Sequence, residues 1–191
     1  RKKDAEAKKK KEETVFIPPK PKPLEDVPTG RWMYLDDLQG DTNGPPDLMC
    51  VLAMGLSKLG TKPLGVGVTC SYEVDSAETR SIIDATKLNI PVFDGHDEFK
   101  SGDSPLGRFI IEESKKGKLT IVMGGPAGDL AWAIKNGAHA HNISLYALMR
   151  NTWNAEGSAG MPDHMRVAMA ETADYVAAAL KGRLVEIERP D

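Results

Sequence analysis

The segment WMYLDDLQGDTNGPPDL, at residues 32–48, decides the predicted fold. It joins a short apolar run to a helical pattern through a loop that is rich in carboxylates. A short apolar run of this kind is typical of a buried strand in a parallel sheet. Loops that follow such strands lie at the carboxyl edge of the sheet, where ligands bind. The segment therefore predicts both a first strand and a ligand site at its end.

This loop carries several oxygen donors, namely Asp37, Asp41, Asn43 and Asp47. Carboxylates are hard ligands that suit Ca²⁺ or Mg²⁺. Asp47 has a second interpretation, because it precedes the helical pattern that begins at Leu48 and would serve there as an N-cap. A solvated turn would also explain the other carboxylates. The loop alone leaves a metal site and a plain turn both open.

The rest of the chain alternates apolar runs with helical patterns. The predicted strands are residues 31–37, 63–69, 91–93, 119–123, 143–148 and 184–187. The predicted helices begin near Leu48, at 77 with Asp75 or Ser76 as the N-cap, at 105 after Ser104, at 127 and near Met165. This alternation predicts an α/β fold with a doubly wound, mainly parallel sheet and helices on both faces.

Residues 1–30 differ from the rest of the chain in composition. They hold nine Lys or Arg and six Asp or Glu, a net charge of +3, and they are rich in proline. The remaining residues carry a net charge of −6. We expect a disordered or extended arm at 1–30 and one α/β domain at 31–191. The acidic body argues against nucleic acid as a partner, whereas the arm suits a homo-oligomer or a larger assembly.

The chain contains no apolar run long enough to span a bilayer. Its N-terminus has no initiator Met and no signal-like apolar core, which is consistent with processing. We therefore expect a soluble protein, and the sequence leaves its compartment open.

The order of elements in residues 32–48 resembles the first motif of the nucleoside hydrolase superfamily, whose members include the inosine-uridine preferring enzymes. Both have an apolar strand, an Asp-rich loop with Asn and Pro, and an apolar helix. Three later stretches match the family pattern in the same order, at residues 64–69, 90–95 and 119–131. The resemblance covers about residues 31–155 and is that of a divergent or shortened member.

The resemblance implies a calcium site with a general base beside it. It assigns metal ligation to loop carboxylates, here Asp37, Asp41 and Asp47, and to the backbone carbonyl of Gly124 before a Gly-Pro turn. One loop Asp acts as the base toward the attacking water. The loop is longer than that of the family, so this role stays open between Asp41 and Asp37.

The resemblance also implies contacts to a ribosyl substrate. Asn43 and Asn154 match residues that bind sugar hydroxyls, and Trp153 matches an aromatic residue beside them. Thr152 stands where the family has Glu.

The implied function is metal-dependent hydrolysis of an N-glycosidic bond of the ribonucleoside type. Three departures favour an alternative, an inactive fold relative that serves as a binding or structural subunit. Pro46-Asp47 replaces a double Asp, Thr152 replaces Glu, and the late Asp and His of the family have no clear counterpart. The sequence leaves open the catalytic status, the substrate and the oligomeric state.

Overall fold

The structure is a computed structural model that describes residues 30–37, 44–56, 60–69, 73–96, 101–148 and 163–187. The predicted arm thus lies outside the described residues, except for its last residue. The strands are β1 Trp32–Asp36, β2 Val66–Val68, β3 Val92–Asp94, β4 Leu119–Met123, β5 Ile143–Leu148 and β6 Leu184–Ile187. The helices are α1 Gly44–Met54, α2 Glu73–Thr86, α3 Pro105–Lys115, α4 Gly128–Lys135 and α5 Asp163–Ala179.

The six described strands form one sheet in the order β3-β2-β1-β4-β5-β6, and every neighbouring pair is parallel. In the centre of the sheet, Tyr34 of β1 lies opposite Val66 of β2 on one side and Val122 of β4 on the other. The prediction of an α/β fold with a parallel sheet is therefore confirmed.

Side chains of β1 alternate between two hydrophobic clusters, because successive residues of a strand point to opposite faces of the sheet. Met33 and Leu35 belong to the cluster that includes residues of α3, α4 and α5. Trp32 and Tyr34 belong to the cluster that includes residues of α1 and α2. All five residues of β1 are buried. Helices on both faces of the sheet thus cover its central strand, as a doubly wound fold requires.

Helix α1 begins earlier than predicted. It starts at Gly44 instead of Leu48, so Asp47 lies inside its first turn and the N-cap interpretation of Asp47 is wrong. Pro45 and Pro46 fit this position because the first N–H groups of a helix have no partner within it, and proline supplies none.

Helix α2 also begins earlier than predicted, at Glu73, so Asp75 and Ser76 lie within it and neither is its N-cap. The start of α3 is as predicted. Ser104 is extended at φ −149°, and its Oγ accepts a hydrogen bond from the Gly107 N–H at 2.9 Å. This N-cap interaction stabilises the helix start that the Ser-Pro pair predicts.

Within the part of the chain that the structure describes, no helix combines the length and the apolar character needed to cross a membrane. This agrees with the absence of a long apolar run in the sequence.

The central strands predict a test of the fold. Ile121 of β4 is fully buried between Met33 and Leu145 of the adjacent strands. Ile121→Ala should lower the free energy of unfolding by about 2–5 kcal/mol, because it removes buried methyl groups and leaves a cavity. Urea unfolding measures this change. Val185→Ala in β6, where Val185 is 45% exposed, is the control and should change stability by about 0.5 kcal/mol or less. Equal losses for both variants would contradict the strand order.

Candidate active site at the carboxyl edge of the sheet

The strand order creates a switch point between β1 and β4. From β1 the chain continues to β2 and β3 on one side, whereas β4, β5 and β6 lie on the other. In open α/β sheets the crevice at the carboxyl ends of such strands is the usual ligand site. The Gly124 N–H, just after β4, donates a hydrogen bond to Leu35 O of β1 at 2.8 Å. This bond holds the two strand ends together.

The carboxylate of Asp36 ends β1 at this switch point and is only 6% exposed. The Tyr34 hydroxyl donates to its Oδ2, and the Asp37 N–H donates to its Oδ1 at 2.9 Å. These donors offset the cost of burying a carboxylate. A Cβ atom on Gly124 would lie 2.7 Å from Asp36 Oδ1. The carboxylate therefore lies directly against the backbone that follows β4.

Thr69 follows β2 and contacts the ends of β1 and β4 at the carboxyl edge of the sheet. Its N–H donates to Asp36 O at 2.8 Å. A Cβ atom on Gly125 would lie 2.4 Å from Thr69 Oγ1 and 2.5 Å from Asp37 N. The ends of β1, β2 and β4 are therefore in contact, and glycine at 125 is what permits the close approach. Thr69 Oγ1 is buried, and it has no hydrogen-bond partner among the described residues.

A second buried carboxylate, Asp129, lies in the first turn of α4 and is 2% exposed. Its Oδ1 accepts hydrogen bonds from the Ser104 hydroxyl and from the His96 N–H, the latter at 3.0 Å. A Cβ atom on Gly95 would lie 2.5 Å from Asp129 Oδ2 and 2.6 Å from Val68 O. Asp129 thus links the ends of β2 and β3 to the beginnings of α3 and α4.

Burial raises the pKa of Asp129 from 3.8 to about 6, although the hydrogen bonds from Ser104 and His96 favour the charged form and oppose this rise. Ser104 is not an activated nucleophile in this arrangement. Its hydroxyl donates directly to the Asp129 carboxylate instead of to an imidazole, so the three residues do not form a Ser-His-Asp triad. The hydrogen bonds of Ser104 and His96 to Asp129 connect the segments before α3 and after β3 to the first turn of α4.

Two of the predicted site residues, Asp37 and Gly124, are described with their surroundings, and the structure brings them to the same edge. Asp47 is described only as a backbone position in the first turn of α1. The remaining predicted residues lie outside the described residues: Asp41, Asn43, Trp153 and Asn154. Among the residues described, no three His, Cys, Asp or Glu side chains are grouped closely enough to hold a metal ion.

Sequence reasoning assigned no site role to Asp36, Thr69 or Asp129, although Asp36 is one of the carboxylates that begin the loop after the first strand. The signal for Asp36 is a carboxylate that ends an otherwise apolar strand, and the signal for Thr69 is its place just after the apolar β2. For Asp129 there is no local signal, because its two partners are 25 and 33 residues away in the sequence.

Comparison with known proteins supports the fold. The chain is similar to a crystal structure of an inosine-uridine preferring nucleoside hydrolase from Bacillus anthracis, with 18% identity and a TM-score of 0.58. The match covers 82% of this chain and 64% of that one, so the chain spans less than two thirds of the length of its structural neighbour. At this identity the likeness establishes the fold alone.

Another match is the nicotinamidase from Staphylococcus aureus, with 11% identity and a TM-score of 0.41 over 81% of this chain and 96% of that one. A similarity this low carries no argument. No family model matches the chain, and a search of curated proteins gives no match.

The raised pKa of Asp129 predicts a pH dependence of stability. The folded protein binds this proton more tightly than the unfolded chain does, so the stabilising contribution is complete below about pH 4 and is lost as pH rises through about 6. Asp129→Asn removes the ionisation and keeps an amide oxygen as the acceptor for Ser104 and His96. Between pH 4 and pH 7 the variant should gain about 2 kcal/mol relative to the unmodified chain.

Urea unfolding from pH 4 to pH 8 measures this gain. The control is Asp103→Asn, because the Asp103 side chain is 57% exposed beside Arg108. Parallel stability curves for the unmodified chain and Asp129→Asn would show that the carboxyl group of Asp129 titrates normally.

Proposed function

We propose that the chain is a metal-dependent hydrolase that cleaves the N-glycosidic bond of a ribonucleoside-type substrate. The observation that carries this proposal is that Asp37 and Gly124 directly follow β1 and β4, the adjacent parallel strands at the switch point of the sheet. In the sequence the carboxylate-rich loop follows Asp37, which lies at the edge where ligands of α/β proteins bind. The fold likeness to a nucleoside hydrolase supports the same class.

Calcium fits the donor chemistry of this edge. The ends of β1 and β4 are joined by the Gly124 to Leu35 hydrogen bond, so Asp37 and Gly124 follow strand ends that lie side by side. Carboxylate and carbonyl oxygens are the ligands that Ca²⁺ prefers. In the proposed site Asp37, Asp41, Asp47 and the carbonyl of Gly124 hold the ion. A bound ion would lower the pKa of the attacking water molecule and would orient it toward the substrate.

In the proposed mechanism, residues of the chain accept the proton and bind the substrate. Asp41 or Asp37 takes a proton from the attacking water while the water oxygen bonds to the anomeric carbon of the sugar. The electrons of the broken C–N bond leave with the nucleobase. Asn43 and Asn154 bind sugar hydroxyls, since an amide offers both a donor and an acceptor. Trp153 packs against the substrate.

A second candidate function is that of an inactive relative acting as a binding or structural subunit. One observation favours it: both oxygens of the buried Asp36 carboxylate already accept hydrogen bonds from Tyr34 and Asp37. A carboxylate held in this way stabilises the edge whether or not chemistry takes place there.

Substitution of the two candidate bases tests the enzyme proposal. Asp41→Asn or Asp37→Asn should lower the rate of hydrolysis by about 10²–10⁴-fold, because Asn keeps the size of Asp and cannot act as the base. The assay measures release of free base or reducing sugar from a panel of nucleosides with added Ca²⁺. Asp103→Asn, an exposed substitution on the loop before α3, is the control and should keep the full rate.

Two outcomes would contradict the proposal. If the unmodified chain releases neither product from any nucleoside, the inactive-relative function is correct. If it is active and both variants keep the full rate, the loop after β1 is not the catalytic centre.

A further inference from the structure

We propose that Thr69 is a ligand-binding residue of the edge and that its hydroxyl hydrogen-bonds a hydroxyl group of a bound neutral sugar. The sugar as ligand class rests on the proposed function. The position of the residue rests on the geometry alone.

The hydroxyl of Thr69 is buried and lacks a partner among the described residues. Thr69 is 1% exposed, and its Oγ1 is a buried oxygen without a partner in the described part of the chain. Burying an unpartnered hydroxyl costs on the order of 1–3 kcal/mol. Valine has almost the same shape and would avoid this cost. A hydroxyl at such a position therefore suits a partner that binds there.

The side chain of Thr69 lies toward the end of β4. Thr69 follows β2, and its N–H is bonded to Asp36 O at the end of β1. Its Oγ1 nevertheless lies beside Gly125, which follows β4, at 2.4 Å from the position of a Cβ atom there. The side chain thus crosses the end of β1 and reaches the switch point. Any larger residue at 125 would press on the hydroxyl.

Thr172 is another buried threonine of the same chain. The hydroxyl of Thr172 in α5 donates within its own helix, with Ala168 O at 3.0 Å and Met169 O at 2.9 Å as acceptors. Thr172 is 6% exposed. The buried hydroxyl of Thr172 therefore has backbone acceptors, whereas the buried hydroxyl of Thr69 has no partner among the described residues.

The charge of the edge bears on the class of ligand. Asp36 and Asp37 lie at the end of the strand that Thr69 crosses, so without a bound cation the edge disfavours an anion such as a phosphate. A hydroxyl group both donates and accepts hydrogen bonds, which matches the chemistry of Thr69. A hydroxyl group of an unphosphorylated sugar fits these conditions.

The test measures binding and stability of the full chain and its Thr69→Val, Thr69→Ser and Thr172→Val variants. The probes are D-ribose and inosine, titrated by calorimetry with Ca²⁺ present, and melting temperatures are measured without either sugar. Thr69→Val should weaken binding of both probes about tenfold, the usual effect of losing one hydrogen bond. Thr69→Ser, which keeps the hydroxyl, should bind within about threefold of the unmodified chain.

The melting temperatures separate a binding role from a structural one. Thr69→Val should melt at the same temperature as the unmodified chain or higher, because it removes an unpartnered hydroxyl. Thr172→Val should melt at a lower temperature and bind both probes normally. If Thr69→Val does not fold, Thr69→Ala takes its place in the same measurements.

Each remaining outcome supports or overturns the proposed role of Thr69. If nucleosides are hydrolysed and Thr69→Val binds both probes as tightly as the unmodified chain, the role of Thr69 is overturned and the enzyme proposal stands. If no nucleoside is hydrolysed but Thr69→Val alone weakens binding of D-ribose, the role of Thr69 stands and the enzyme proposal fails. If the unmodified chain binds neither probe, the role of Thr69 is overturned.

Discussion

Burial of the Asp36 carboxylate is the constraint on which the centre of the structure depends. An ionised carboxylate loses several kcal/mol of hydration when it is buried, and it is tolerated only where donors replace the water. The Tyr34 hydroxyl and the Asp37 N–H are those donors. A Cβ atom at 124 would lie 2.7 Å from Asp36 Oδ1, so a larger residue after β4 would force this carboxylate to shift. Glycine placement and the polar character of the edge thus depend on one buried group.

The carboxyl edge has two parts with different roles. At the switch point between β1 and β4, Gly125 brings Asp37 and Thr69 together, and the hydroxyl of Thr69 has no partner among the described residues. At the far side of β2, Asp129 accepts hydrogen bonds from Ser104 and from the loop after β3. The first part has unused hydrogen-bonding capacity and suits a ligand. The second part is internally bonded and supports the loops around it.

The sequence predicts much of the fold, because apolar runs and helical periods are local signals. The start of α3 after Ser104 is predicted for the same reason, and the ligand role of the loop after β1 stays a prediction. The N-cap interpretation of Asp47 is wrong because two prolines let this helix begin earlier, whereas a carboxylate before an apolar helix normally caps it. The buried, partnerless state of the Thr69 hydroxyl among the described residues and the environment of Asp129 could not be predicted, since both depend on residues distant in sequence. The state of a hydroxyl or a buried carboxyl group depends on such tertiary neighbours.

The central claim is that ligand binds at the carboxyl ends of β1, β2 and β4. Amide chemical shifts, followed by nitrogen-proton correlation spectra during titration with inosine and Ca²⁺, test it most directly. The account predicts that the largest shifts occur at Asp37, Thr69 and Gly125. Amides at the opposite edge, such as Lys118 before β4 and Arg183 before β6, should stay in place. Shifts concentrated at that opposite edge, or no shifts at saturating inosine and Ca²⁺, would contradict the account.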